Sequence, residues 1–430
     1  MINSIEDVKN LLQEHHKYRK TCLNMIPSEL VTSPTLRLFR TCDLGHRYST
    51  YLDDPLKRRY PGGKYIGRME SEAQRLAAEI FEGKYVDFRP LGGQMAVYGP
   101  IFALTKPGDT IVETGKHGGG EMVTASLVGT NEEGLVHYDT PSLTRGLLKV
   151  KFLPFNYSTY NIDVDAAQEL IKKEKPRLII LGRFQVLFPE PIKELADVAK
   201  EVGSYVLYDA AHYSLFVAAK HFPNPLKEGA DIMSSSTQKT LPGPQGGMII
   251  TNKKELYNKI GRTLFPAFVA NDHYDRIPAL LVMLLELRKF GKYFADQVVR
   301  NSKALGKAMH DLGFKVAAAE KGFSETHMIL CDFSEFGDPE TVTNRLEAAG
   351  ILATGGGGSR VGTGEVTRIG MKERHMNEIA QFFRRVLIDK ENPETVKKDI
   401  AKFVFNFNRL EFSFDEGADP YAPLFLGIQQ

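Results

Sequence analysis

Residues 205–251 read YVLYDAAHYSLFVAAKHFPNPLKEGADIMSSSTQKTLPGPQGGMIIT, and this stretch decides the fold. Tyr205 to Tyr208, Ile232 to Ser235 and Gly247 to Thr251 are short runs of buried-strand type bounded by turn residues. The first runs into Asp209-Ala210-Ala211-His212. It places a carboxylate and an imidazole at the carboxyl edge of a strand, where open α/β sheets bind their ligands. The second continues through Ser236-Thr237-Gln238-Lys239-Thr240 into Leu241-Pro242-Gly243-Pro244-Gln245-Gly246. Hydroxyls followed by one lysine at the start of a Gly/Pro loop offer phosphate donors beside an amine. A lysine amine condenses with an aldehyde, and a buried aspartate keeps a pyridine nitrogen protonated. Those are the two demands of pyridoxal phosphate chemistry. A third part lies upstream in Pro90-Leu91-Gly92-Gly93-Gln94-Met95-Ala96, a glycine turn opening a helix. Its first amides and its dipole suit the cofactor's phosphate. A strand-end aspartate or a loop lysine is ordinary by itself; the three parts in this order carry the reading.

Outward from this stretch, Thr110 to Glu113, Val150 to Leu153 and Leu178 to Leu181 are further buried-strand runs, and Val164 to Glu174 and Ile192 to Val202 have helical periodicity. Strands alternating with helices of that length predict parallel pairing and a doubly wound sheet covered on both faces. Helical patterns are also read over Met1 to Lys20, Glu70 to Phe81 and Pro278 to Leu312. Beyond them the rhythm changes: His327 to Asp332 and Glu365 to Met371 read as strands, and Pro339 to Ala349 and residues 374–390 as helices. The expected division is 1–67 for an N-terminal helix and substrate or interface segment, 68–276 for a large cofactor-binding domain, and 277–430 for a connecting helix and a small α+β domain.

Composition narrows the function classes. The chain has 430 residues, 42% hydrophobic and 25% charged, which excludes disordered and collagenous readings. Lys+Arg 55 against Asp+Glu 53 leaves a formal charge of +2, no field for a nucleic-acid backbone or an anionic membrane. Cys22, Cys42 and Cys331 form no CxxC, which argues for a reducing compartment and against a disulfide framework or a metal site. The N-terminus lacks the apolar core of a signal peptide, and Ile277 to Leu287 is interrupted by Pro278 and Glu286. A soluble, cytoplasmic protein without membrane or nucleic-acid partners is expected. No GxxxxGK[ST] is present and no GxGxxG follows the first strand. His117-Gly118-Gly119-Gly120 mimics an esterase oxyanion tetrapeptide, but the GxSxG turn that it needs is missing.

The chain resembles the serine hydroxymethyltransferase family, within the fold-type I (aspartate aminotransferase-like) pyridoxal-phosphate enzymes. The similarity runs from Met25 to about Ile388 and rests on Ile26-Pro27-Ser28-Glu29, Tyr60-Pro61-Gly62-Gly63-Lys64-Tyr65-Ile66-Gly67, His117-Gly118-Gly119, Asp209 to His212, Thr237 to Thr240 and Ser359-Arg360-Val361-Gly362-Thr363. The resemblance implies an α/β fold with a mostly parallel central sheet, helices on both faces and a smaller α+β C-terminal domain. It implies Lys239 as the Schiff-base lysine, Asp209 as partner of the pyridine nitrogen and His212 near the phenolic oxygen. Gly92, Gly93 and Gln94 would line the phosphate, with Ser236 and Gln238 adding donors. Arg360 would clamp the α-carboxylate of an amino-acid substrate through a bidentate fork that lysine could not reproduce, helped by Ser28. A homodimer with shared active sites is implied too, with the Tyr60 region and Phe265 to Asn271 as the partner's contribution.

The departures from the family bear on the reaction. Its acid/base glutamate before the YPGG motif corresponds, counting back from Tyr60, to Arg58, a permanent cation that cannot exchange protons near neutrality. The histidine that stacks on the cofactor in the family is Gly120, leaving His117 to stack instead; Gln238 stands where the family has histidine and Gln94 where it has serine. Cofactor and amino-acid binding are expected to survive, with folate-independent aldol or retro-aldol chemistry (aldolase or transaldolase) at Cα–Cβ. Arg58 would favour a substrate with a second anionic group. The competing readings are a genuine serine hydroxymethyltransferase, an aminotransferase, racemase or β-elimination lyase, and a non-catalytic relative.

Overall fold

The computed structural model describes residues 2–115, 118–120, 147–353 and 359–421. The chain divides into two units: Phe39–Lys289, and a smaller one made from Met1–Leu38 together with Phe290–Gln430.

The larger unit is built on seven strands: β1 (Tyr85–Asp87), β2 (Thr110–Thr114), β3 (Lys149–Leu153), β4 (Leu178–Leu181), β5 (Tyr205–Asp209), β6 (Ile232–Ser236) and β7 (Gly247–Thr251). They lie in the order β1-β7-β6-β5-β4-β2-β3. Pairing is parallel from β6 through β5, β4 and β2 to β3, and antiparallel where β7 meets β6 and β1. Every residue of β4, β6 and β7 is buried, as strands covered on both faces must be. The sequence reading expected parallel pairing for Gly247 to Thr251 as well. The chain between β6 and β7 holds no helix and is shorter than the crossover of about a dozen residues that a parallel return needs, so β7 comes back antiparallel. The helices Val164–Glu174 and Ile192–Val202 fall where periodicity predicts them.

Two helices carry residues that the sequence singles out. α1 (Lys64–Ile80) starts earlier than the expected Glu70, so Lys64-Tyr65-Ile66-Gly67 is its first turn rather than a loop. Gly67 is tolerated there because the Pro55 carbonyl oxygen would lie 2.4 Å from any Cβ. α2 (Gly93–Leu104) begins directly after the glycine turn, with Gly92 as its N-cap. Its Ala96, Val97 and Ile101 pack with Ile111, Ile180, Leu207 and Ile249 of the sheet in one apolar cluster.

In the smaller unit, Met328–Asp332 is the central strand of a three-stranded antiparallel sheet between Lys315–Val316 and Ser359–Gly362. The expected strand Glu365 to Met371 is instead a short helix, Gly364–Arg368. Val366, Thr367 and Ile369 suggested a strand by β-branching. All of Gly364–Ile369 is buried without alternation, and Thr367 N donates back to the Thr363 carbonyl at 3.1 Å, which closes a helical turn, with Thr367 Oγ1 on the same carbonyl at 2.6 Å. The C-terminal stretch folds back on the N-terminal segment. Thr35 N and Oγ1 each reach an Asp415 oxygen at 2.7 Å, Arg37 Nη1 donates to Pro420 O at 2.7 Å, and the Tyr421 hydroxyl donates to Glu365 at 2.8 Å. The helix Ile5–Lys20 buries none of its residues and leaves Ile5, Val8, Leu11 and Leu12 exposed.

Candidate active site

The strand order fixes where the chemistry gathers. Asp209 at the end of β5 stands in register with Ser234 of β6, and Ser236 at the end of β6 faces Gly247 of β7. Asp209 Oδ1 accepts from Ala211 N at 3.1 Å and from Ser234 Oγ at 3.3 Å, so its carboxylate is aimed before any ligand arrives. Lys239 sits in the β6–β7 loop, whose shape is held independently of the lysine side chain. Thr237 N donates to Gly246 O at 3.0 Å, Thr237 Oγ1 to Pro244 O at 2.5 Å and Gly243 N to Thr237 O at 3.0 Å. The glycines are required by crowding: a Cβ on Gly243 would lie 2.5 Å from Thr237 O, and one on Gly246 would lie 2.2 Å from an Arg276 nitrogen.

The glycine turn before α2 is joined to this loop. Gly247 N donates to Pro90 O at 2.8 Å, and a Cβ on Gly93 would meet the Ser236 Cβ at 3.0 Å. Arg276, fully buried, donates Nη1 to Pro90 O at 2.9 Å and Nη2 to Phe88 O. These elements enclose a cavity of about 230 Å³ lined by Gly92, Gly93, Gln94, Asp209, Ser236, Gln238 and Lys239, with Val97, Tyr98 and Ala211. Seven residues picked out from sequence thus share one cavity. Sequence reasoning missed Arg276, because an arginine near a helix start carries no motif.

A model of the family described as serine hydroxymethyltransferase matches residues 2–383. The chain belongs to the serine hydroxymethyltransferase family. It is 39% identical over 425 residues to the serine hydroxymethyltransferase of Korarchaeum cryptofilum, covering 95% of this chain and 97% of that one. It is 37% identical over 432 residues to the serine hydroxymethyltransferase of Archaeoglobus fulgidus, covering 97% and 94%. Among solved structures it is similar to L-threonine transaldolase from Pseudomonas fluorescens in the internal aldimine state, with a TM-score of 0.86 and 26% identity over 96% of this chain and 94% of that one. The chain is therefore a fold-type I pyridoxal-phosphate enzyme, a transferase or lyase, and pyridoxal 5'-phosphate is its cofactor.

The cavity fits that cofactor. Ser236 Oγ is buried beside the N-terminus of α2 with no hydrogen-bond partner among the described residues. The first-turn amides of a helix likewise lack intrahelical acceptors, so a phosphate satisfies both. The Lys239 amine and the Asp209 carboxylate line the same space.

The other family residues are placed as follows. His212 is 2% exposed on the turn after Asp209 and is not part of the cavity lining. Tyr60 is exposed and packs edge-on against Tyr48, ring centroids 4.8 Å apart. Arg360 and Ser28 belong to the smaller unit, where Arg360 pairs with Leu330 across the sheet. Its strand is locked to the Ser28 segment: Gly362 N donates to Met25 O at 2.7 Å, and a Cβ on Gly362 would lie 2.6 Å from the Pro27 Cα. His117 lies outside the described residues. Gly120 does not, and a Cβ there would fall 1.6 Å from Thr114 O, so no histidine fits this turn.

Arg58 has a partner within the fold: its guanidinium is hydrogen-bonded to Glu70, with side-chain exposures of 4% and 0%. Tyr51 donates to the other Glu70 oxygen at 2.7 Å, and Arg58 lies 4.7 Å over the Tyr51 ring and 5.3 Å from that of Tyr274. Arg89 covers Tyr51 at 4.6 Å and forks onto Asp87. The signal was available in Glu70 twelve positions on, at the buried phase of α1, but nothing in the sequence ties the two.

Asp272 closes this network, its Oδ1 accepting from Tyr274 at 3.2 Å and its Oδ2 unpartnered among the described residues. Burial first, then the Glu70 charge, pushes its carboxyl from the ordinary 3.8 up to about 7, against the pull of Arg276, Arg89 and Arg58. Between those values the folded protein holds a proton that the unfolded chain has lost, so this group makes stability fall as pH rises from about 4 to about 7. Asp272→Asn is expected to flatten that fall, read as unfolding midpoints across the window; an unchanged pH profile would contradict it.

Proposed function

We propose that this enzyme carries out folate-independent aldol or retro-aldol chemistry at the Cα–Cβ bond of an α-amino acid. One observation carries the reading. Two positions before Tyr60 of the YPGG motif stands Arg58, and the carboxylate it pairs with, Glu70, is fully buried with both oxygens taken by Arg58 and Tyr51. Glu70, held in this way, is not offered for the proton transfers that a folate reaction needs. The likeness to an L-threonine transaldolase over nearly the whole chain supports the same reading. Genuine serine hydroxymethyltransferase activity is the second reading, favoured by the higher identity, 39% and 37%, to relatives of that name.

When bound, pyridoxal phosphate supplies an electron sink for Cα of an amino acid attached through its amine. The chain's own residues do the rest. Lys239, whose side chain lines the cavity, would hold the cofactor through its amine and exchange a proton at the reacting carbon. Asp209, pre-aimed by Ala211 N and Ser234 Oγ, keeps the pyridine nitrogen protonated. Ser236 and the start of α2 hold the phosphate. The planar fork of Arg360 and the Ser28 hydroxyl orient the substrate carboxylate, which selects the Cα bond to be broken. The protein acts as a cytoplasmic homodimer, a reading supported by the family resemblance and by the exposed apolar side chains of Ile5–Lys20; no helix among the described residues is long and apolar enough to cross a membrane.

The deciding experiment incubates the enzyme with serine, with and without tetrahydrofolate, and with threonine plus an acceptor aldehyde. Glycine release from serine that does not respond to folate, with exchange of the threonine side chain onto the aldehyde, is the expected result. Fast glycine formation only when folate is present would overturn the proposal in favour of the second reading.

A further inference from the structure

Arg183 and Glu190 form a buried ion pair that the cofactor chemistry does not use. Their side chains are 1% and 0% exposed, with Arg183 Nε 2.8 Å from Glu190 Oε1. The pair sits where β4 ends. Gly182 just before it has φ +105°, and a Cβ there would lie 2.2 Å from the Asp209 carbonyl oxygen, so this turn is seated directly on the backbone of Asp209. Arg183 Nη1 donates to Gly118 O and to Tyr160 O, each at 3.3 Å. The Arg183 backbone forms an antiparallel bridge with Gly120, and the amides of Phe184 and Gln185 both donate to Gly119 O, at 3.0 and 3.2 Å. Every residue of the 118–120 turn is therefore tied to Arg183 or its neighbours.

The guanidinium also lies 5.2 Å over the Phe155 ring. On the sequence side of Asp209, Tyr213 is next to the pair: burial first, then the Glu190 charge, holds its phenol well above the usual range, so it stays a neutral donor. Tyr213, Glu190 and Arg183 thus form one buried polar cluster beside the Asp209 turn. Replacing a buried ion pair by apolar side chains of similar volume is often neutral for stability. Stability alone does not account for it.

We propose that Arg183, held by Glu190, is a positioning residue that locks the Gly118–Gly120 turn to the Asp209 turn and thereby fixes the pose of the cofactor ring. The inference rests on the reading of Asp209 as the partner of the pyridine nitrogen. Its atoms act through the backbone of Gly118 and Tyr160 and through Gly182, not on the substrate.

The test separates positioning from stability. Arg183→Met with Glu190→Leu removes both charges together, and its unfolding midpoint is expected to stay within about 3 °C of the parent. Its affinity for pyridoxal phosphate by equilibrium dialysis is expected to weaken about tenfold, its visible circular dichroism to change in amplitude, and kcat to fall between about ten- and a hundredfold. Arg183→Lys covers the case in which the double variant does not fold. It keeps a charge for Glu190 but cannot reproduce the fork to Gly118 O and Tyr160 O, and the same dichroism change is expected. Parental dichroism and affinity in Arg183→Lys, or in a folded double variant, would overturn the proposal. Asp209→Asn run beside them separates the two layers: if it also leaves cofactor affinity and absorption unchanged, the reading of the site has failed, not the inference built on it.

Discussion

Lys239→Ala is expected to lose the visible absorption of the cofactor-loaded protein and to lower turnover by about a thousandfold or more. The size of the effect follows from the lysine having two tasks, covalent attachment of the cofactor aldehyde and proton transfer at the reacting carbon. Its specificity follows from the loop. The hydrogen bonds that shape Thr237–Gly246 run through Thr237, Gly243, Pro244 and the Gln238 side chain, and none uses the Lys239 amine. The variant should therefore fold with an unfolding midpoint close to the parent. An absorption spectrum identical to that of the parent would remove Lys239 from its role.

The second large effect is on stability. Arg58→Ala takes from the fully buried Glu70 carboxylate the cation paired with it, leaving the Tyr51 hydrogen bond, and Glu70→Ala takes from Arg58 its anion; each is expected to cost about 3–5 kcal/mol. Removing both charges with Arg58→Met and Glu70→Leu should return most of that loss, since paired burial is close to neutral against apolar packing. Denaturant unfolding of the three variants measures it. The same set decides whether Arg58 meets substrate: Arg58→Ala with parental stability and a raised KM would favour the anion-binding reading over the structural ion pair.

The two cations at positions 58 and 183 show where sequence reading stops. The core of the site was legible because its parts are local: Asp209 and His212 follow one strand, Ser236 to Lys239 follow the next, and Gly92 to Gln94 open a helix. Period and turn chemistry place such residues within a few positions. Arg58–Glu70 and Arg183–Glu190 are pairings across a loop and a turn, and charge type alone does not say whether a partner waits in the fold. The antiparallel return of β7 was hidden for a similar reason, since strand direction depends on what the connection can span rather than on the strand itself. The short helix Gly364–Arg368 was misread because its β-branched residues answer to burial on all sides. Gly120 illustrates the converse: its identity was plain in the sequence as a lost histidine, while the reason, a carbonyl 1.6 Å from any side chain, exists only in three dimensions.

The return of the C-terminal stretch onto residues 35–37 has a consequence for how the chain is made. Phe39–Lys289 is continuous and can close as soon as it has emerged from the ribosome, but the smaller unit takes Thr35 and Arg37 from one end and Asp415 and Pro420 from the other. At synthesis rates of about 5–20 residues per second, the first segment waits on the order of ten seconds or more for its partner strands and strap to be translated. Throughout that interval Leu23 and Met25, each fully buried in the finished fold, lack the core they share with residues 305–404. Slow translation through residues 290–421 prolongs the time for which residues 23–37 stay without those partners.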